Sequence, residues 1–390
     1  MALSLAIRRF AIPRVISATS SLTSRAFSSD KPPFSIMANQ PNNGVDTISK
    51  GSIEVCRIMV PDDANIAGNV HGGTTLKLLE EAGYIIATRH LNKNRSPDAP
   101  KNDFIASLAR VERTDFLQPL FIGEVAQVHA DLSYASKHSL EVKVSVWAEN
   151  LVTGQRRLAN RAALWYVPVK YSGRSADEPR VIGEVPPLNY ASEAEEELGK
   201  ARYEAQKKDR LQRQEHLTNV PCNCGTTMPS MHDQSQHTVS ASQSSLIHSV
   251  QPSDCGFYGY LYGGVAMKMM DEVAGITAFR HCKTNVVTAS IDAIDFHKFV
   301  KVGHIINMNG FVTFTSSRSM EIEVILDAQD LMTGTCFRAC TAFFTYVSLD
   351  ANHKPQPVPQ IILTTEEEKQ KYEEGKKRYE ERKKRRLSAH

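Results

Sequence analysis

Four apolar, partly alternating runs in the second half of the chain predict β-strands. They are rich in β-branched and aromatic residues, and Gly, Asp or Ser residues separate them. The predicted strands are residues 286–296, 305–315, 319–329 and 338–348. A shorter strand precedes them at 244–250, and the first half of the chain begins with a similar short strand at 52–59. This order predicts a mostly antiparallel sheet in each half.

A Gly-Gly pair follows each short first strand and opens a helical pattern of about 17 residues. In the first half this helix is apolar on most of its faces, through Leu76, Leu78, Leu79, Ala82, Ile85 and Ile86. A helix that is apolar all round is buried rather than laid on a surface. We therefore predict an α+β fold in which each half is one long buried helix wrapped by a mostly antiparallel sheet.

The two halves are copies of one another. Gly72 and Gly73 return as Gly263 and Gly264, an offset of 191, and Tyr166 returns as Tyr346, an offset of 180. The difference of eleven residues is an insertion in the first copy, where the polar stretch 92–103 predicts a loop. Duplication on this scale predicts two tandem domains.

The repeat and the composition between the copies define the predicted domains. The copies occupy residues 50–170 and 241–350, and residues 171–240 contain a charged helix and a polar linker. A second charged helix lies within residues 351–390. Mixed charges at i,i+4 spacing favour solvated helices, and a role in bridging subunits is the alternative.

The amino terminus has the composition of a targeting segment. Residues 1–29 are rich in Arg, Ser and Ala and contain no acid. This composition is typical of a mitochondrial transit peptide, which we assign to residues 1–36. Translation from Met37 would instead give a shorter, cytosolic product. An unstructured tail is the alternative interpretation of the same residues.

Composition and charge exclude several classes of protein. The apolar share of 41% and the charged share of 23% are those of a globular protein, and no apolar run approaches the roughly 18 residues of a membrane span. The net charge is +3, and residues 1–36 contribute +4 from five basic residues and one acid, so the remainder carries −1. A near-neutral body argues against nucleic-acid binding. The pair Cys222 and Cys224 lacks a second cysteine pair, so we predict no metal site.

The Gly-Gly pairs are candidate oxyanion sites. Glycine lets a ligand approach the backbone closely, and the first N–H groups of a helix have no partner within it. Tight helix packing is the alternative reason for these glycines.

Eight residues after the first glycine of each pair comes an acid, Glu80 in the first copy and Asp271 in the second. A carboxylate on so apolar a helix is costly unless it is paired, solvated or functional.

The loops before the two helices differ in one informative position. Asn65 in the first copy corresponds to Gly256 in the second, so only one loop carries a carboxamide. If active sites form between the two helices with twofold symmetry, one site combines Asn65 with Asp271. The other combines Gly256 with Glu80 and lacks the amide.

These residues form recognisable motifs. The helix entry D-D-x-N-x-x-G-x-x-x-G-G, the helix motif K-x-x-[ED]-E and the duplicated layout resemble the hot-dog acyl-CoA thioesterases over residues 52–386. The resemblance implies two tandem hot-dog domains that hydrolyse medium- and long-chain acyl-CoA to fatty acid and CoA, with a role in fatty acid metabolism. It also implies a trimer of tandem chains, which is a hexamer of hot-dog domains. No cofactor is expected, because CoA is part of the substrate and a product.

Carried over to this chain, the resemblance implies that activity resides in Asn65 and Asp271, while the interface with Glu80 and Gly256 is degenerate. We expect the thioester carbonyl to lie against the N–H groups of Gly263 and Gly264. Asp271 then either activates a water or attacks directly. His71 is replaced by Tyr262 in the second copy, so we interpret it as part of the loop structure.

Two hydroxyl-rich segments at matching strand entrances are candidate contacts for the CoA phosphates. They contain Ser136, Lys137, Ser316, Ser317 and Arg318. A simple turn between strands is the alternative.

Two other functions of the chain also stay open: an acyl-CoA hydratase or dehydratase on the same fold, and a catalytically silent acyl-CoA sensor or carrier.

Overall fold

The computed structural model describes residues 51–65, 68–93, 104–170, 182–217, 237–256 and 259–388, all within one compact unit. The predicted transit peptide at 1–36, its alternative start at Met37 and the cysteine pair at 222 and 224 lie outside the described residues. So does part of the predicted linker.

The first copy has the predicted order of one short strand, a long helix and a run of strands. Its elements are β1 (Ser52–Ile58), α1 (Gly72–Leu91), β2 (Phe104–Val111), β3 (Thr114–Phe116), β4 (Val125–Ala135), β5 (Leu140–Glu149) and β6 (Arg156–Lys170). A charged helix, α2 (Glu193–Leu217), and one short turn of helix, α3 (Val239–Ser242), follow it.

The second copy repeats this order and ends in a second charged helix. Its elements are β7 (Ser244–Ser249), α4 (Gly263–Cys282), β8 (Asn285–Ile291), β9 (Ile294–Phe296), β10 (Ile305–Thr315), β11 (Ser319–Gln329), β12 (Cys336–Leu349) and α5 (Glu366–Ser388). The predicted strand 286–296 is therefore two strands. The break falls at Asp292, whose N–H donates to Phe343 O while its carboxylate binds Arg382 of α5.

The twelve strands of the described residues form one continuous sheet. Ten of them follow the order β1-β4-β5-β6-β2-β9-β12-β11-β10-β7, and β3 and β8 pair beside this path. The copies are joined at its middle, where β2 pairs with β9 and β3 pairs with β8, both antiparallel. The predicted α+β fold with two hot-dog domains and a mostly antiparallel sheet is confirmed.

Helix α1 packs against the strands of the first copy and α4 against those of the second, and the two mostly buried helices also pack against each other. Glycines at both helix starts allow this close approach. A Cβ atom on Gly73 would lie 2.8 Å from Lys268 Cα, and one on Gly264 would lie 2.9 Å from Lys77 Cα. The start of each helix therefore faces the middle of the other, which is an antiparallel arrangement.

The charged helices α2 and α5 are anchored to the sheet by arginines. Arg202 of α2 binds Glu141, and Arg378 of α5 binds Glu321, with both glutamates 1% exposed. A buried carboxylate without a partner would destabilise the fold strongly, and each of these is paired. Most residues of both helices are exposed, as predicted for solvated helices, and each helix is also docked to the sheet along one face. The domain boundaries themselves stay predictions.

Candidate active site

Several hydrogen bonds hold the loop before α1 in place. The Asp63 carboxylate accepts hydrogen bonds from the Arg57 guanidinium at 2.9 Å and from the Val60 N–H at 3.0 Å. The Asp63 carbonyl accepts the His71 N–H at 2.8 Å. The Asn65 Oδ1 accepts the Asn69 N–H at 3.1 Å. These bonds fix where Asn65 and His71 lie relative to the start of α1.

Asp271 of α4 lies opposite this loop and is fully buried. Its Oδ2 accepts the Gly73 N–H at 2.7 Å and lies 2.8 Å from His71 Nδ1. Its Oδ1 accepts the Thr288 hydroxyl at 2.9 Å and the Tyr346 hydroxyl at 2.7 Å. Two donors come from the first copy and two from the second.

These donors keep the carboxylate ionised. Burial acts to raise the pKa of Asp271, but His71, Tyr346 and Thr288 outweigh it, and the pKa lies below its usual value. Burial likewise acts to lower the pKa of His71, and the Asp271 carboxylate outweighs it, so that pKa is raised. His71 Nδ1 also lies 3.2 Å from the Gly73 N–H, but that N–H makes the shorter bond to Asp271. His71 is therefore assigned as the donor to the carboxylate.

A large cavity of about 1440 Å³ opens beside this carboxylate. Asn65, His71, Gly72, Thr288 and Tyr346 all line it, and the last four contact Asp271. A Cβ atom on Gly72 would lie 3.0 Å from Asp271 Oδ2, so only glycine fits there without displacing its neighbours. The structure thus brings Asn65 and the group around Asp271 to one cavity.

The equivalent interface at the other end of the helix pair is closed. Glu80 lies 2% exposed beside a cavity of only about 50 Å³. Among the described residues, its Oε2 has no hydrogen-bond partner. Burial, reinforced by Glu81, raises the pKa of Glu80 to about 8. This acid is protonated at neutral pH, whereas Asp271 is ionised.

Substitutions between the copies explain the difference. Five positions have one residue around the open cavity and a different residue at the closed interface. In this order, the pairs are Asp271 and Glu80, Asn65 and Gly256, His71 and Tyr262, Thr288 and Leu108, and Gly275 and Tyr84. The rings of Tyr84 and Tyr262 are in edge contact with centroids 5.4 Å apart. A Cβ atom on Gly263 would lie 2.4 Å from Leu108 Cδ2. Bulky side chains thus fill the space that is a cavity in the other site.

The structure corrects one predicted assignment. Gly263 and Gly264 were expected beside Asp271, but they lie at the closed interface, against Leu108 and Glu80. An α-helix rises about 1.5 Å per residue, so eight residues separate Asp271 from the start of its own helix by about 12 Å. The glycines that face Asp271 are Gly72 and Gly73 of the antiparallel partner helix.

The residues predicted to contact CoA phosphates do not line either cavity. Their hydroxyls close turns instead: the Ser136 and Ser316 hydroxyls each lie 2.7 Å from a second serine hydroxyl, at Ser139 and Ser319. The Val358 N–H donates to the Ser317 carbonyl, and Lys137 pairs with Glu184. Arg318 is exposed beside the second turn. The turn interpretation fits these contacts.

Three side chains around Asp271 were not predicted as site residues. They are His71, Thr288 and Tyr346. The sequence did contain a signal for the first two, because both change between the copies together with Asn65. Tyr346 gave no such signal, since Tyr166 is its counterpart and donates only to the Glu80 carbonyl, at 3.2 Å.

The arrangement can accept a proton and stabilise negative charge. Gly72 is the first residue of α1, where an N–H has no acceptor within the helix, and it lines the cavity.

Across the described part of the chain, no three metal-binding side chains come together as a metal site. No helix among the described residues is long and apolar enough to cross a bilayer.

Comparison with known proteins identifies the family of this chain. The sequence model of the thioesterase superfamily matches residues 67–155 and 258–335. The cytosolic acyl coenzyme A thioester hydrolases of Mus musculus and Homo sapiens are each 52% identical over 319 residues, which is 81% of this chain and 79% and 80% of theirs. A crystal structure of an apo-hexameric acyl-CoA thioesterase is 40% identical and covers 38% of this chain and 95% of its own, with a TM-score of 0.37. The chain therefore belongs to the thioesterase superfamily, in the family of the acyl coenzyme A thioester hydrolases.

Proposed function

We propose that the chain hydrolyses medium- to long-chain acyl-CoA thioesters to fatty acid and free CoA, at one site composed of Asn65 from the first copy and Asp271 from the second. One observation carries this proposal. The ionised Asp271 accepts the Gly73 N–H of the other copy beside a cavity of about 1440 Å³, whereas its counterpart Glu80 is neutral beside about 50 Å³. The names of the mouse and human relatives support CoA thioesters as the substrate class.

The proposed reaction begins with the thioester carbonyl at the start of α1. The Gly72 N–H and the Asn65 amide donate to the carbonyl oxygen and stabilise the negative charge that develops on it. The positive end of the helix dipole acts in the same direction. Water adds to the carbonyl carbon, Asp271 takes its proton, the C–S bond breaks, and the CoA thiolate receives a proton.

Water activation fits the geometry better than direct attack. Each oxygen of Asp271 already has two donors, so a nucleophilic attack would have to break some of these contacts. A base can accept the proton of a water through a side chain that is hydrogen-bonded to it. His71 and Thr288 both contact Asp271 and both line the cavity. A single turnover in oxygen-18 water with enzyme in excess tests this. General-base hydrolysis labels the fatty acid in the first turnover, whereas an anhydride route delivers an unlabelled oxygen from Asp271.

The contact between His71 and Asp271 also supports a second candidate. Hydratases on this fold pair a histidine with an acid, and these two side chains lie 2.8 Å apart. Incubation with a 2-enoyl-CoA distinguishes the two reactions. Loss of the enoyl absorbance without thiol release would indicate a hydratase, and thiol release without hydration indicates a thioesterase.

The primary test is a thiol-release assay over acyl-CoA lengths with the intact chain, Asn65→Ala and Asp271→Ala. Loss of thiol release with unchanged acyl-CoA binding supports hydrolysis at this site. A chain that binds acyl-CoA but releases no thiol is a sensor or carrier. Turnover that neither substitution affects would overturn the site.

Compartment and assembly complete the proposal. We propose import into mitochondria through residues 1–36, or a cytosolic product if translation starts at Met37, and we propose a trimer of tandem chains. Fusing residues 1–36 to a fluorescent protein tests the first point by its location in cells. Light scattering of the purified chain tests the second, with a mass of three chains expected.

A further inference from the structure

One face of α4 forms a wall of the large cavity. Glu272, Gly275, Ile276, Phe279 and Arg280 all line it, and their spacing of three and four residues places them on a single helix face. Two of these side chains are apolar and remain exposed, Ile276 at 48% and Phe279 at 41%. The catalytic carboxylate lies one turn before Gly275, so this face leads away from the reacting atoms.

Other apolar residues also line the cavity. They lie in the segment between β3 and β4, where Leu117 and Phe121 are 52% and 43% exposed, and in β8, at Val286 and Val287. Exposed apolar side chains gathered around one cavity mark a ligand-binding groove. Their position beside Asp271 fits the hydrocarbon part of a substrate better than its charged part.

The first copy shows what closes such a groove. Tyr84 occupies the position of Gly275, with its ring against Tyr262. The Thr88 hydroxyl accepts the Ala106 N–H at 3.2 Å, and the Asn92 side chain bonds both the N–H and the carbonyl of Phe104. Helix α1 is thereby tied to β2, and Ile105, Ala106, Leu108 and Ala109 of that strand are buried.

The second copy has different residues at these three positions. Gly275, Phe279 and Lys283 stand where the first copy has Tyr84, Thr88 and Asn92. The matching residues of β8 are only half-buried, and Asn285, Val286, Val287, Thr288 and Ala289 line the cavity. The space between α4 and β8 is open for this reason.

We infer that the acyl chain of the substrate lies between α4 and β8, and that Gly275 determines the chain length by leaving this channel open. The inference rests on the proposed hydrolysis of acyl-CoA and adds the part of the cavity that binds the hydrocarbon. A Cβ atom on Gly275 would lie 3.3 Å from the Tyr346 hydroxyl. A larger side chain therefore narrows the channel immediately beyond the catalytic group.

The test compares kcat/KM for butyryl-CoA and palmitoyl-CoA in the intact chain, Gly275→Ala and Gly275→Tyr. Pocket contacts discriminate by about 10–200-fold for each methylene-sized change. We expect the palmitoyl-to-butyryl ratio to fall slightly in Gly275→Ala and at least about 100-fold in Gly275→Tyr. The reciprocal variant Tyr84→Gly enlarges the closed interface and should leave the ratio unchanged.

A second variant covers the case in which Gly275→Tyr does not fold. Phe279→Thr introduces the first copy's residue at an exposed position and should lower the ratio about 10-fold by removing apolar contact. An equal fall for both substrates in the Gly275 variants, or an unchanged ratio in all of them, would overturn the inference. Absence of thiol release from the intact chain would instead refute the proposed function.

Discussion

The N–H of Gly73 in the first copy donates to the Oδ2 of Asp271 in the second copy at 2.7 Å. This contact joins the start of one helix to the middle of the other. It places the carboxylate next to the positive end of a helix that belongs to a different copy, which stabilises the ionised form. The groups that donate to Asp271 therefore come from both copies.

Replacing Asn65 by Ala tests the amide. We expect kcat to fall about 100-fold, because loss of one donor to a developing oxyanion costs roughly 3 kcal/mol of barrier. The matched control is Gly256→Ala in the closed interface, which should leave kcat unchanged. Steady-state thiol release from both variants measures the effect. Equal kcat values for the two variants would remove Asn65 from the mechanism.

Replacing His71 by Gln tests the pairing with Asp271. Burial raises the pKa of Asp271 and His71 opposes it, so the pKa of Asp271 rises when the imidazole is lost. The carboxylate must be ionised to act as a base, so the acid limb of the kcat/KM profile should move to higher pH. A profile between pH 4 and 9 measures the shift. A variant whose acid limb does not move would show that His71 has no influence on this carboxylate.

Replacing Glu80 by Gln tests the neutral acid of the closed interface. Burial raises the pKa of Glu80 from 4.5 in the unfolded chain to about 8 in the fold. A carboxyl shifted in this direction stabilises the fold fully below pH 4.5, and that stabilisation is lost as pH rises through 8.

The free energy of unfolding should therefore fall across this window by up to about 1.4 kcal/mol per pH unit relative to Glu80→Gln. Urea unfolding of both chains at several pH values measures the difference. Parallel curves for the two chains would mean that Glu80 is ionised in the fold.

The sequence was sufficient to predict most of the fold. The alternation of apolar residues predicted β10 and β11 with the limits that the structure shows, 305–315 and 319–329. It missed the break in the strand at Asp292, because the apolar residues Ile291, Ala293 and Ile294 continue on both sides of that position. The docking of α5 was missed because it depends on a buried partner, Glu321, which the local sequence of a charged helix does not reveal.

The candidate site was only partly predictable. Comparing the copies brought Asn65 and Asp271 to attention, because these positions differ between otherwise similar sequences. The comparison could not reveal which Gly-Gly pair faces which acid, since that depends on the antiparallel packing of α1 and α4. His71 was taken for loop structure because the second copy has Tyr262, yet this same difference separates the open site from the closed one.

The matched pair Asp271→Asn and Glu80→Gln tests the central claim most directly, because both replace an acid by its amide at equivalent positions. We predict that Asp271→Asn lowers kcat for acyl-CoA hydrolysis by about 1000-fold, within the range for loss of a general base, while Glu80→Gln retains the intact chain's kcat. Comparable losses in the two variants, or a greater loss in Glu80→Gln, would contradict a single site at Asp271.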